Sequence, residues 1–124
     1  MATLTSHQRC LIVHDDRDGA SLLSDVEAAG FEAAGPFNTS SHALDWLDAY
    51  TPDVAIIDPA LDESVGAPLV QALRSRGVTL VVYTDAARQP KVAPELQSVP
   101  WFEKGTGRAD LLATLTYLKA TLVA

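Results

Sequence analysis

The chain has 124 residues, 48% hydrophobic and 20% charged, with a formal net charge of −7. One compact domain over 1–124 is the expectation for that length. The acidic balance suits neither a phosphate backbone nor an anionic lipid surface, so nucleic acid and membrane are not expected partners. The single cysteine, Cys10, excludes a disulfide within the chain and stands in an apolar run, where a buried thiol is ordinary. The opening MATLTSHQRC lacks a long apolar stretch and nothing approaches a membrane span, so the expected compartment is the cytoplasm.

Short apolar runs alternate with helical patterns. Cys10-Leu11-Ile12-Val13 reads as a first strand. Leu22, Leu23 and Val26 then share a helical face, with Gly30 as a stop. FEAAGPF reads as a short second strand. Thr39 or Ser40 can cap a helix carrying Ala43, Leu44 and Leu47. Val54 to Asp58 forms the third strand. Leu69, Val70 and Leu73 mark a helix that closes at Arg76-Gly77, and VTLVVYT is the fourth strand. Prolines 90, 94 and 100 make any following helix, the fourth, short or irregular. WFE is a brief fifth strand. The last helix carries Leu111, Leu112, Leu115, Leu118 and Leu122 on one face. Five strands alternating with about five helices predict an α/β fold, a doubly wound parallel sheet covered on both faces.

A carboxylate at the end of a buried strand needs a reason, and Asp58 ends the third. In an open α/β sheet, ligands bind beyond the carboxyl ends of the strands, where the strand order reverses. With the order 2-1-3-4-5, that point lies between strands one and three. Strand one runs into Asp15 and Asp16, so three acids converge with Asp58. Two like charges about 4 Å apart repel by roughly 4 kcal/mol at an effective dielectric of 20, so such a group needs a cation. Oxygen ligands in a partly hydrated site suit Mg2+. Thr84 ends strand four, and Lys104 follows strand five. A hydroxyl and an ammonium beside a carboxylate-bound metal make a receptacle for a phosphoryl group, with Asp58 as the nucleophile. Singly, each residue has an ordinary explanation: a turn, a pre-proline strand end, a β-branched strand residue, a solvated lysine. Their joint arrival at the ends of four strands is what points to chemistry. His14 reads as a half-buried strand-end residue without a catalytic task, and His7 and His42 as surface residues.

LIVHDD, DVAIID, VVYTD and WFEKG, in this order and spacing, resemble the receiver domain of bacterial two-component response regulators, over about residues 8 to 122. The resemblance implies the flavodoxin-like order 2-1-3-4-5. It implies Asp15 and Asp16 as metal-binding acids and Asp58 as phospho-acceptor. It also implies Thr84 as switch hydroxyl, Lys104 as the family lysine and Trp101 as switch aromatic. Mg2+ is the implied cofactor, held by Asp15, Asp16, Asp58 and the carbonyl of Ala60. A sensor histidine kinase or phosphotransfer protein is the implied donor. A stand-alone receiver of this kind catalyses only its own phosphorylation and dephosphorylation, and signals through a protein partner.

Four positions depart from the pattern, one being Trp101, bulkier than the usual tyrosine or phenylalanine. Pro59 removes a backbone N–H, Asp85 adds a carboxylate after Thr84, and Gly105 stands where most receivers have proline. Pro59, Asp85 and Gly105 favour an alternative reading, a pseudo-receiver that binds a protein without phosphorylation. A metal-dependent aspartate phosphatase is a third reading, but it wants a second acid where Ala60 stands. The last helix also carries a small face of Ala109, Ala113, Thr116 and Ala120 beside Tyr117, a candidate homodimer surface.

Overall fold

The computed structural model of the chain describes residues 8–14, 16–58, 68–84, 99–104 and 107–122, with the side chains of 16–19 and 121–122 left out. Five strands and four helices alternate among them. They are β1 (Arg9–Val13), α1 (Asp16–Ala28), β2 (Glu32–Phe37), α2 (Ser40–Leu47), β3 (Val54–Ile57), α3 (Pro68–Ser75), β4 (Thr79–Thr84), β5 (Trp101–Glu103) and α4 (Arg108–Leu122). The strands form one sheet in the order β2-β1-β3-β4-β5, and every pairing is parallel. The expected flavodoxin-like order is therefore observed. The expected short helix between β4 and β5 falls on 85–98, outside the described residues.

Local chemistry sets the element ends. α1 buries Leu22 and Val26, one turn apart. It stops at Gly30, whose φ of +100° is open to glycine. There Gly30 N donates to Glu27 O and Phe31 N donates to Val26 O, closing two carbonyls the helix leaves over. α3 ends in the same way. Gly77 has φ +73°, its N–H donates to Arg74 O, and Val78 N donates to Leu73 O. At α2 the cap is Thr39, whose hydroxyl accepts from His42 N at 3.2 Å, while Ser40 is the first helical residue and is buried.

Strand alternation divides the core in two. Leu11, Val13, Ala55, Ile57, Leu80 and Val82 face one way and pack with α2 and α3 residues such as Leu47, Leu69 and Leu73. Cys10, Ile12, Val54, Ile56, Val81 and Tyr83 face the other and pack with Leu22 and Val26 of α1 and Leu111 and Leu115 of α4. Each large apolar side chain taken fully from water contributes about 1.5–3 kcal/mol, so this double layer is the main stabilising feature. Cys10 is buried as expected, and the burial pushes its thiol pKa upward. The small face of α4 is exposed at Ala109, Ala113, Thr116, Tyr117 and Ala120. The sheet edges are unlike. β2 is half-open to solvent and contains Pro36, whereas β5 is only three residues long. Among the described residues no helix is long and apolar enough to cross a membrane.

Candidate phosphoryl-acceptor site

The register brings the strand ends together. Val13 lies opposite Ile57, and Ile57 opposite Val82. One residue further, Asp58 N donates to Val13 O at 3.1 Å, which seats Asp58 beside the end of β1. On the other flank Thr84 pairs with Glu103, and Lys104 N donates to Thr84 O at 3.0 Å. The backbone ladder thus carries Asp58, Thr84 and Lys104 to one edge before any side chain acts.

The side chains then converge. Thr84 Oγ1 donates to Asp58 Oδ1 at 2.6 Å, and Lys104 Nζ donates to Asp58 Oδ2 at 3.0 Å. These are lengths of charge-assisted bonds. Only 9% of the Asp58 side chain and 11% of the Lys104 side chain remain exposed. A carboxylate in that setting is costly alone, and the hydroxyl and ammonium offset the cost. Both donors lie against the Asp58 carboxylate oxygens, where they can also meet an oxyanion attached to that carboxylate. Trp101 opens β5, half-buried, and packs against the core layer that holds Val82 and Val99.

Asp15, Pro59, Ala60, Asp85 and Gly105 lie outside the described residues, and Asp16 is described by backbone alone, as the first residue of α1. Among the described residues no group of three His, Cys, Asp or Glu side chains forms a metal site. Of the residues expected to hold Mg2+, the Asp58 side chain alone is described, and a carboxylate is the ligand type a hard cation takes. Asp58 offers a carboxylate at the edge where β1 runs into α1, and the one cysteine is buried further back in β1.

His14 differs from its expectation. It is fully buried rather than half-buried, and its ring lies 5.9 Å from that of Tyr83. The reason is position: the residue after Val13 still lies under the sheet layer, and His14 N donates to Phe37 O at 3.0 Å. His42 is exposed, as expected, and His7 lies outside the described residues.

One ion pair between α1 and α4 is not expected from the sequence. Arg108, at the start of α4, donates from Nη2 to Asp25 Oδ1 at 2.7 Å and from Nε to Asp25 Oδ2 at 3.1 Å. Asp25 belongs to the buried face of α1. Its hydrogen bonds, and then its charge, push the Arg108 guanidinium pKa up from its ordinary value. The two residues are 83 apart in the chain, and in sequence each resembles a solvated helix charge. A hint lay in the spacing: Asp25 sits beside Val26 and three positions after Leu22, on the apolar stripe of α1.

No family model and no curated protein sequence matches the chain. Solved structures do. A CheY-like receiver domain from Methylobacillus flagellatus is 26% identical with a TM-score of 0.74, covering 91% of this chain and 99% of that one. SdrG from Pseudomonas melonis, in a BeF3-activated conformation, is 26% identical with a TM-score of 0.66 over the same shares. A two-component response regulator from Clostridium difficile is 16% identical with a TM-score of 0.76, over 94% of this chain and 99% of that one. From β1 to α4, the chain has the fold of the response-regulator receiver domain.

Proposed function

We propose that the chain is a phospho-accepting receiver that passes a signal to a protein partner. The observation that carries this reading is the buried Asp58 carboxylate held by Thr84 at 2.6 Å and Lys104 at 3.0 Å at the carboxyl edge of the sheet. The donor is the phosphohistidine of a sensor histidine kinase or phosphotransfer protein. An Asp58 carboxylate oxygen attacks phosphorus, the P–N bond breaks, and the imidazole leaves with the electron pair. Lys104 lies beside the oxygens where charge gathers, and Thr84 donates its hydroxyl to the same group. Water later cleaves the acyl phosphate, returning Asp58 and releasing inorganic phosphate. The domain catalyses only these two reactions on itself.

Asp16, Asp58 and the carbonyl of Ala60, with Asp15 nearby, are the residues that would hold Mg2+, which when bound supplies positive charge to the transferred oxygens. Phosphorylation pulls Thr84 and Lys104 onto the new oxygens, and Trp101 at the head of β5 follows, shifting a pre-existing equilibrium of that face. A second copy is a candidate partner at the exposed Ala113–Tyr117 face of α4. Light scattering of the parent and an Ala113→Glu variant tests it, and a parent that stays monomeric with and without phosphodonor removes it.

The deciding experiment is incubation with Mg2+ and a small phosphodonor, followed by intact-mass measurement. The expected result is one added phosphoryl mass, lost in Asp58→Asn, which keeps the shape but not the nucleophile. Mass gain that persists in Asp58→Asn places the acceptor elsewhere. A parent that never gains the mass under saturating Mg2+ supports the pseudo-receiver reading suggested by Pro59, Asp85 and Gly105.

A further inference from the structure

We propose that Arg108 and Asp25 are positioning residues that hold Lys104 against Asp58 by clamping the start of α4 to α1. The inference rests on the reading of Lys104 as the phosphoryl partner, and it concerns how that lysine is held in place. Lys104 is pinned on its upstream side, because its N–H donates to Thr84 O. On the downstream side the chain must turn at once into α4. Gly107 makes that turn: its N–H donates to Glu103 O at 2.7 Å, and its own carbonyl accepts from Leu111 N at 2.9 Å. The approach is so close that a Cβ at Gly107 would lie 2.6 Å from Glu103 O and 2.8 Å from Glu103 N. Gly107 is buried, and the next residue is Arg108.

The end of β5 and the start of α4 are therefore tied together; Leu111 and Leu115 hold the body of α4 in the core, and Arg108 holds its first residue to α1. The guanidinium fork meets both Asp25 oxygens, a geometry that fixes direction as well as distance. Asp25 is anchored within the buried face of α1, between Leu22 and Val26. A path of short contacts thus runs from α1 through Asp25, Arg108 and Gly107 to the backbone that carries Lys104. Without the clamp, the first turn of α4 can swing on Gly107, and the ammonium loses its fixed seat at Asp58 Oδ2. Among the described residues the clamp's hydrogen bonds join Arg108 to Asp25, whereas the Asp58 carboxylate accepts from Thr84 and Lys104.

The test measures the seat of Lys104 directly. In the full chain, reductive methylation with formaldehyde and cyanoborohydride as the hydride donor, read by peptide mass, gives the reaction rate of the Lys104 amine. In Arg108→Gln and in Asp25→Asn that rate is expected to rise about threefold, in keeping with a partly exposed pair. In Arg108→Lys, which keeps the charge but cannot form the two-pronged contact, the rate is expected to lie between those of the parent and Arg108→Gln. Mg2+ affinity is expected to stay at the parent value, while the initial rate of phosphoryl mass gain drops with the loosened lysine. A clamp that serves stability alone would lower the melting temperature and leave the Lys104 rate unchanged, and that outcome overturns the proposal. If Asp25→Asn folds poorly, Arg108→Gln decides, since its side chain leaves less behind in the interior. If the parent takes no phosphate at all, the proposed function fails, but the methylation rates still decide this inference.

Discussion

Ile56 lies within β3, Asp58 directly follows the strand's last residue, and both are buried. One is held by many weak contacts with no direction, the other by two strong bonds with fixed geometry. Ile56 gains free energy by leaving water. Asp58 loses it, and among the described residues Thr84 and Lys104 offset that loss at the same edge. The middle of the sheet thus tolerates any side chain of the right size, whereas its carboxyl edge tolerates only particular partners.

The largest expected effect tests the middle. Ile56→Ala should lower unfolding free energy by about 2–5 kcal/mol in urea titration, while the phosphorylation proposed for Asp58, measured per folded molecule, stays at the parent level. A loss of phosphorylation larger than the loss of folded protein would break the separation between the two regions. Next comes the edge. Lys104→Met should cost about 3 kcal/mol, the low end for breaking a buried pair, because both side chains keep a little solvent contact. The double variant Asp58→Leu with Lys104→Met should return to within about 1 kcal/mol of the parent, or exceed it. If the double variant is as unstable as the single, the edge is held by shape and the contrast with Ile56 disappears. Thr84→Val keeps the shape and removes one donor to a charged acceptor, so a smaller loss of about 1.5 kcal/mol is expected, with urea midpoints as the measure.

The smallest effect near neutral pH belongs to Cys10, in the apolar middle. Burial raises its thiol above the ordinary 9.0. The unfolded chain then releases that proton first, so above pH 9.0 it binds fewer protons than the folded chain, and stability falls as pH rises. Below that value the thiol is neutral in both states and the contribution is intact. Urea midpoints of the parent should fall between pH 8 and about 10 more steeply than those of Cys10→Ala. Equal slopes would mean that Cys10 is open to water.

What the sequence reveals follows the same division. The apolar runs 10–13, 54–57 and 79–84 announce their strands because doubly buried parallel strands are apolar throughout. Asp58, Thr84 and Lys104 can be read because each ends or directly follows such a run, and the ladder delivers them to one edge. Helix ends at Thr39, Gly30 and Gly77 are readable from single residues whose local chemistry suffices. The depth of His14 was not readable, since a strand-end position alone does not say how far the helices extend over it. Nor was the Asp25–Arg108 pair, whose partners meet only after the sheet has placed α1 next to α4. Pairing between distant helices is a property of the assembled layers, and single-residue patterns carry no trace of the partner.

The two outer strands have a consequence for the molecule in concentrated solution. A sheet that ends in long, flat, unpaired strands offers a template on which other chains can extend it. Here neither outer strand, among the described residues, is a good template. β5 offers only Trp101–Glu103, and α4 follows it within a few residues. β2 is longer, but Pro36 has no N–H to donate, and the register against β1 shifts between Leu11 and Val13, which bends the strand. Glu32 adds a charge at its exposed start. Replacing Pro36 with valine would restore a donor to that outer edge, and the expected result is a lower threshold for strand-mediated aggregation, seen as turbidity at protein concentrations where the parent stays clear.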